Sequence, residues 1–386
     1  MEAVDLSQVP VVDNHCHGVA TDQTFGDVVA WRRSFTESTD PGMPREHVAT
    51  TALYRRLIRT LAPFLGCEPT EEAVFAARTA REGRDLTAEL LRAANIDTLL
   101  VDTGFPPPEG VFPVPELEDL ANCRAEPMLR LEVLMESLLA EHETLADTEE
   151  ALAVALDDVR AGGHVALKSI AAYRTGLDIR EWPREDAEES FREYRQSARE
   201  GSTRLAHKPL LDTLLHVAFA RAADQEVPVQ FHVGYGDADT DLLLGNPLHL
   251  RAVLGRPDYR AMPVVLLHEC YPYTRQGGYL AAVYENAYLD LSYGIPLLGH
   301  GEMLSFTRQA LGVAPSSKLM YSSDGIGLPE LHWTSAIDGR RVIGEALGEL
   351  VAHGELDLKE AETVGESVLR ANAARLYGLP PGQSGA

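Results

Sequence analysis

The feature that most constrains this chain is a recurrence. Eight short apolar runs, each bounded by turn residues, are separated by longer segments of helical character: VPVVDNH (9–15), IDTLLVDTGF (96–105), PMLRLEVL (127–134), HVALKSI (164–170), VPVQFHV (227–233), MPVVLLH (262–268), AYLDLS (287–292) and KLMYSSD (318–324). Runs of this length read as buried strands, and strands alternating with helices read as parallel strands joined by crossovers. Eight such units predict an α/β fold, a (β/α)8 TIM barrel.

The segments between the runs support that reading. PPPEG breaks the chain after the second run, and a GG pair at 162–163 leads into the fourth. DTEEALAVALDDVRAGG reads as a helix capped by its first Asp and ended by glycine, and KPLLDTLLHVAFARAADQE carries apolar residues at helical spacing. Residues 18–85 are too long for one strand-to-helix connection and read as a helical insertion over the barrel mouth; 171–206 reads as a second insertion, after strand four. The expected organisation is one barrel domain over 1–379, with a disordered tail at 380–386.

Composition narrows the function classes. The 34 basic and 59 acidic side chains give a formal charge of −25, which repels a phosphate backbone, so no nucleic-acid partner is expected. No apolar run approaches the roughly 20 residues of a membrane span. The chain reaches its first strand without room for a signal peptide, and a cytoplasmic location is the expectation. Cys16, Cys67, Cys123 and Cys270 form no CxxC pair and read as free thiols. A small-molecule substrate is the expected partner, with a homo-oligomer left open.

The chemistry gathers at the strand ends. In HCH (15–17), strand alternation turns His15 and His17 the same way and Cys16 the other. An isolated HxH is more often surface or core histidine than a ligand pair. Lys168 lies near the end of run four, however, His232 and His268 end runs five and six, and Asp324 ends run eight. The C-terminal strand ends are where barrel enzymes keep their reactive groups, and imidazole and carboxylate together suit zinc, with manganese or iron as alternatives.

HxH on strand one, lysine on strand four, histidines on five and six and aspartate on eight together resemble the amidohydrolase superfamily of metal-dependent barrels. ALKSIAAYRTGL, LLHECYPYTRQGGYLA and MYSSDGIGLPELHW further resemble the amidohydrolase domain that some fungal and plant nodulin-type proteins carry fused to a glutamine synthetase. The resemblance implies one or two divalent ions. His15, His17 and Asp324 would hold the first, and His232 and His268 would hold or approach a second. Lys168 would bridge the two as a carbamate or remain an ammonium that polarises substrate. Asp324 would take a proton from the attacking water and pass it on, and in a one-metal site His268 would be an acid–base instead of a ligand.

Candidate substrate contacts follow the strands: Tyr173 and Arg174 after run four, Tyr271 and Arg275 after run six, Glu330 and His332 after run eight. Arginine's planar fork suits a carboxylate, although pairing with the chain's own acids explains these arginines as well. The expected activity is metal-assisted hydrolysis of an amide or related C–N bond in a small carboxylate-bearing metabolite, with a γ-glutamyl amide suggested by the synthetase association. Decarboxylase or hydratase chemistry, and lactone or phosphoester hydrolysis, are the rival readings; a binding protein without catalysis is the third.

Overall fold

The computed structural model describes residues 3–295 and 297–380. Eight parallel strands follow one another in sequence order around a barrel: β1 (Val11–His17), β2 (Ile96–Asp102), β3 (Arg124–Arg130), β4 (Ala166–Ser169), β5 (Val229–Phe231), β6 (Val264–Leu266), β7 (Ala287–Ser292) and β8 (Leu319–Ser322). Helices cover the outside, as parallel strands buried on both faces require. The seam between β8 and β1 closes at its C-terminal end, where the Asp324 N–H donates to the His15 carbonyl at 3.0 Å and the His17 N–H donates to the Gly325 carbonyl at 2.8 Å.

Two apolar regions hold this together. The larger lies between strands and outer helices; the smaller fills the barrel with Val12, Leu100, Met128, Val265 and Met320, against Ala373 and Tyr377. Tyr377, from the C-terminal helix Asn372–Tyr377, enters the interior: its hydroxyl donates to Asn14 Oδ1 at 2.8 Å and accepts from Gln230 Nε2 at 2.7 Å. Asn14 in turn donates to Asp290 Oδ2 at 2.6 Å. Burial raises the Asp290 carboxyl to about 7.

The first strand departs from simple alternation. Asp13 pairs with Leu99 but Cys16 with Val101, so one extra residue is accommodated between them. Such a bulge reverses the parity of the strand, and the consecutive Asn14 and His15 both reach interior groups.

Two sequence expectations need adjusting. The third apolar run is only partly strand: β3 ends at Arg130, and Leu131 opens the helix Leu131–Glu141. The helix expected to start at an Asp cap starts earlier, at Leu145, with Thr144 accepting from the Asp147 N–H. The insertion after β1 contains the helices Ala52–Leu65, Glu71–Thr79 and Gly83–Ala93. Of the expected tail, 381–386 fall outside the described residues.

Candidate metal and substrate site

The barrel mouth opens into a cavity of about 640 Å³. His17, Lys168, His232, His268 and Asp324 line it, and His15 sits just behind, fully buried. The residues singled out at five different strand ends therefore meet in one place.

Asp324 is the hub. Its Oδ1 lies 3.6 Å from the Nε2 atoms of both His15 and His17, and its Oδ2 lies 3.4 Å from His268 Nδ1. The neighbouring imidazoles outweigh burial and hold its carboxyl well below the usual carboxylate range, His268 foremost. Its backbone sits at φ 52°, and that of His268 at φ 60°, in the left-handed region that non-glycine residues avoid. The strain is of order 1 kcal/mol per residue and is sustained by surrounding contacts. Asp13 Oδ1 accepts from the Ser323 N–H at 2.7 Å, and Ser323 Oγ accepts from the Gly325 N–H at 2.8 Å, which braces the segment on both sides of Asp324.

Burial favours the neutral form at three of these histidines. Burial drives His15 and His232 well below 6.5 and His268 down to about 3. His17 Nδ1 lies 2.8 Å from the Phe105 carbonyl, a contact that places the proton on Nδ1 and leaves Nε2 as the free lone pair facing Asp324. One donor atom each from His15, His17 and Asp324 lie within 4.8 Å of one another. Two imidazoles and one carboxylate converging in a buried pocket form a donor set that fits a divalent cation. His232 is oriented differently: its Nε2 contacts the Tyr235 carbonyl, while its ring lies 4.5 Å from that of His268.

Lys168 Nζ lies 3.3 Å from His15 Nε2, and burial lowers its ammonium to about 8. Tyr173 and Arg174 both line the cavity, with Arg174 Nη2 3.2 Å from Glu136 Oε1.

The other four proposed substrate contacts are not among the lining residues. Tyr271 is half-buried beside the mouth, and Arg275 is exposed on the helix Thr274–Val283. Glu330 is fully buried in an ion pair with Arg78 at 2.5 Å. His332 is packed outside the barrel wall, 3.9 Å from Asp13 Oδ2, with its ring so close to Gly325 that a Cβ there would approach it to 2.7 Å. The helix Pro329–Ala352 carries both Glu330 and His332, and its packing against the wall explains their position.

Several lining residues escape a reading based on apolar runs. Arg130 ends β3 and forks onto Asp102 with contacts of 2.6 and 3.1 Å; extending the third run to residue 134 hid this strand end. Tyr235, three residues beyond His232, donates to Asp324 Oδ2 at 2.5 Å. Glu37, Arg204 and Asp237 come from loops that carry no periodic signal. AWRRSF divides by face: Arg33 and Ser34 line the cavity, whereas Trp31 and Phe35 are buried and anchor the segment against Tyr54.

Barrel, strand-end donors and mouth cavity together define a site of the amidohydrolase type. The amidohydrolase family model matches residues 181–379, and the chain belongs to this family. A candidate metal-dependent hydrolase from Lactobacillus casei ATCC 334 is 30% identical, with 98% of each chain covered and a TM-score of 0.85. Protein fluG of Emericella nidulans is 27% identical over 399 residues; the match takes in 96% of this chain but 46% of that protein, so this chain spans about half the length of that relative. A uronate isomerase from Thermotoga maritima, 14% identical with a TM-score of 0.65 over 96% of this chain and 95% of its own, shares the fold. Among the described residues no helix is long and apolar enough to cross a membrane.

Proposed function

We propose that this protein hydrolyses an amide or related C–N bond of a small, carboxylate-bearing metabolite with the help of a divalent cation. The observation that carries the reading is the meeting of His15, His17 and Asp324 beside Lys168, His232 and His268 on one cavity. His15, His17 and Asp324 would hold the ion, zinc before manganese or iron. Such an ion supplies a nucleophile from water near neutral pH and polarises the bond under attack.

The chain's own groups account for the remaining steps. Asp324, ionised and braced, accepts the proton of the attacking water and delivers it to the leaving nitrogen. Tyr235, already hydrogen-bonded to Asp324, orients that carboxylate. Lys168, as an ammonium, stabilises negative charge developing on the substrate oxygen. Arg174 faces the cavity and suits a substrate carboxylate. A γ-glutamyl amide is the specific candidate, through the likeness to a synthetase-associated domain.

A second reading is favoured by the donor geometry: three converging donors, with His232 Nε2 turned to a backbone carbonyl, suit a single ion, and one-ion barrels also support decarboxylation or hydration. Initial rates of zinc-supplied protein with γ-glutamyl amides, lactones, phosphotriesters and aromatic carboxylates separate these readings. Preferred turnover of the amides is expected; turnover confined to lactones or phosphotriesters, or release of carbon dioxide, removes the C–N assignment.

A further inference from the structure

Charges of both signs line the cavity, five cationic and five carboxylate side chains. Arg204 lies where the two signs meet: it pairs with Asp239 and acts on both Asp237 and Arg174. The charges acting on Glu37, by contrast, are those of Asp324 and Asp237.

Most of the cations are already engaged. Arg130 is held by Asp102, and Arg204 by Asp239 and the Tyr173 carbonyl. Arg174 touches Glu136 through one terminal nitrogen, and its buried Nε has no partner. Among the acids, Asp239 has Arg204, but Glu37 makes no ion pair with any described residue, and Asp237 Oδ1 is buried without a hydrogen-bond partner. Burial and mutual repulsion raise Glu37 to about 7, and burial and Asp239 raise Asp237 to about 6.

Unpartnered carboxylates crowded at a partly desolvated wall are stabilised by a cation, and no described residue forms an ion pair with Glu37. A dicarboxylate would relieve Arg174 but add to the acidic crowding; a diamine would do the reverse. A ligand with both charges satisfies both groups. We infer that the cavity selects a zwitterionic amino-acid head, its ammonium group received by Glu37 and Asp237 and its carboxylate by Arg174. This deepens, and rests on, the hydrolase reading: the head group is the part held still while the distal C–N bond is presented to the strand-end donors.

The test is equilibrium binding by calorimetry on the zinc-supplied full-length chain, with three probes of similar length: L-glutamate, glutarate, which lacks the ammonium, and 4-aminobutyrate, which lacks the α-carboxylate. L-Glutamate should bind about tenfold or more tightly than either, a margin of about 1.4 kcal/mol. Glu37→Gln should bring L-glutamate down to the affinity of glutarate while leaving glutarate unchanged or improved, and Asp237→Asn should do the same in smaller measure. Equal binding of glutarate and L-glutamate, equal weakening of both by Glu37→Gln, or no binding of any probe would overturn the inference. If L-glutamate binds selectively while no glutamyl amide is turned over, the head-group assignment stands and the hydrolase reading fails, so the two are separable.

Discussion

The backbone N–H of Asp324 donates to the carbonyl of His15 at 3.0 Å, across the seam between the last strand and the first. One hydrogen bond thus helps to close the barrel and to set the spacing of the two residues most central to the site. The Asp13 contact with the Ser323 N–H adds a further tie across that seam. Barrel closure and the placement of these strand-end donors are therefore coupled.

That coupling separates charge from shape at Asp324. Asp324→Asn keeps the volume and the backbone bond but loses the proton acceptor. Turnover should fall by about 10²- to 10⁴-fold while the circular dichroism spectrum and thermal midpoint stay close to those of the parent. Near-normal turnover would remove Asp324 from the proton transfer.

Metal removal should silence the protein without unfolding it, because the apolar side chains that fill the barrel and the strand ladder do not rest on the ion. Treatment with a chelator is expected to abolish turnover, with recovery on adding zinc or manganese. An ion held at about 100 times its dissociation constant should also raise stability by roughly 2.7 kcal/mol, readable as a higher thermal midpoint.

Lys168 offers a test by pH. Its ammonium is lowered to about 8, so the cationic form is present below that pH and lost above it. If the ammonium stabilises developing charge, kcat should decline as pH rises through about 8, and Lys168→Met should lack that alkaline limb. If Lys168 is instead carbamylated and bridges two ions, activity will depend on bicarbonate and the Lys168→Ala protein will hold half as much metal.

Glu330 is predicted to matter for folding and not for substrate. It is fully buried against Arg78, and removing one partner of a buried ion pair leaves the other charge stranded. Glu330→Ala should cost about 3–5 kcal/mol in chemical denaturation, with KM of the folded fraction unchanged. A raised KM at unchanged stability would return Glu330 to the substrate site.

The parts of this architecture legible in the sequence are those fixed by short-range patterning. Apolar runs marked the strands because parallel strands are buried on both faces, and His15, His17, Lys168, His232, His268 and Asp324 stood out because each lies at or near the end of such a run. What stayed hidden depends on longer-range packing. Arg130 was masked because LEVL continues the apolar run into a helix. The extra residue near Asn14 leaves no periodic trace, since it shows only in the pairing with β2. Glu330 and His332 follow Asp324 so closely that they read as mouth residues, but their helix turns them into the wall. Glu37 and Asp237 arrive at the cavity through insertion and loop geometry that local propensity does not specify.

The central claim is that His15, His17 and Asp324 form a metal centre, and the most direct measurement is the metal-to-chain ratio by elemental analysis. Protein purified without chelator and supplied with zinc and bicarbonate should retain about one or two divalent ions per chain after exhaustive dialysis, and a His15→Ala, His17→Ala double variant that remains folded should lose the ion held by this trio. Retention of no stoichiometric metal by the parent chain, or an undiminished content in the double variant, would contradict the account.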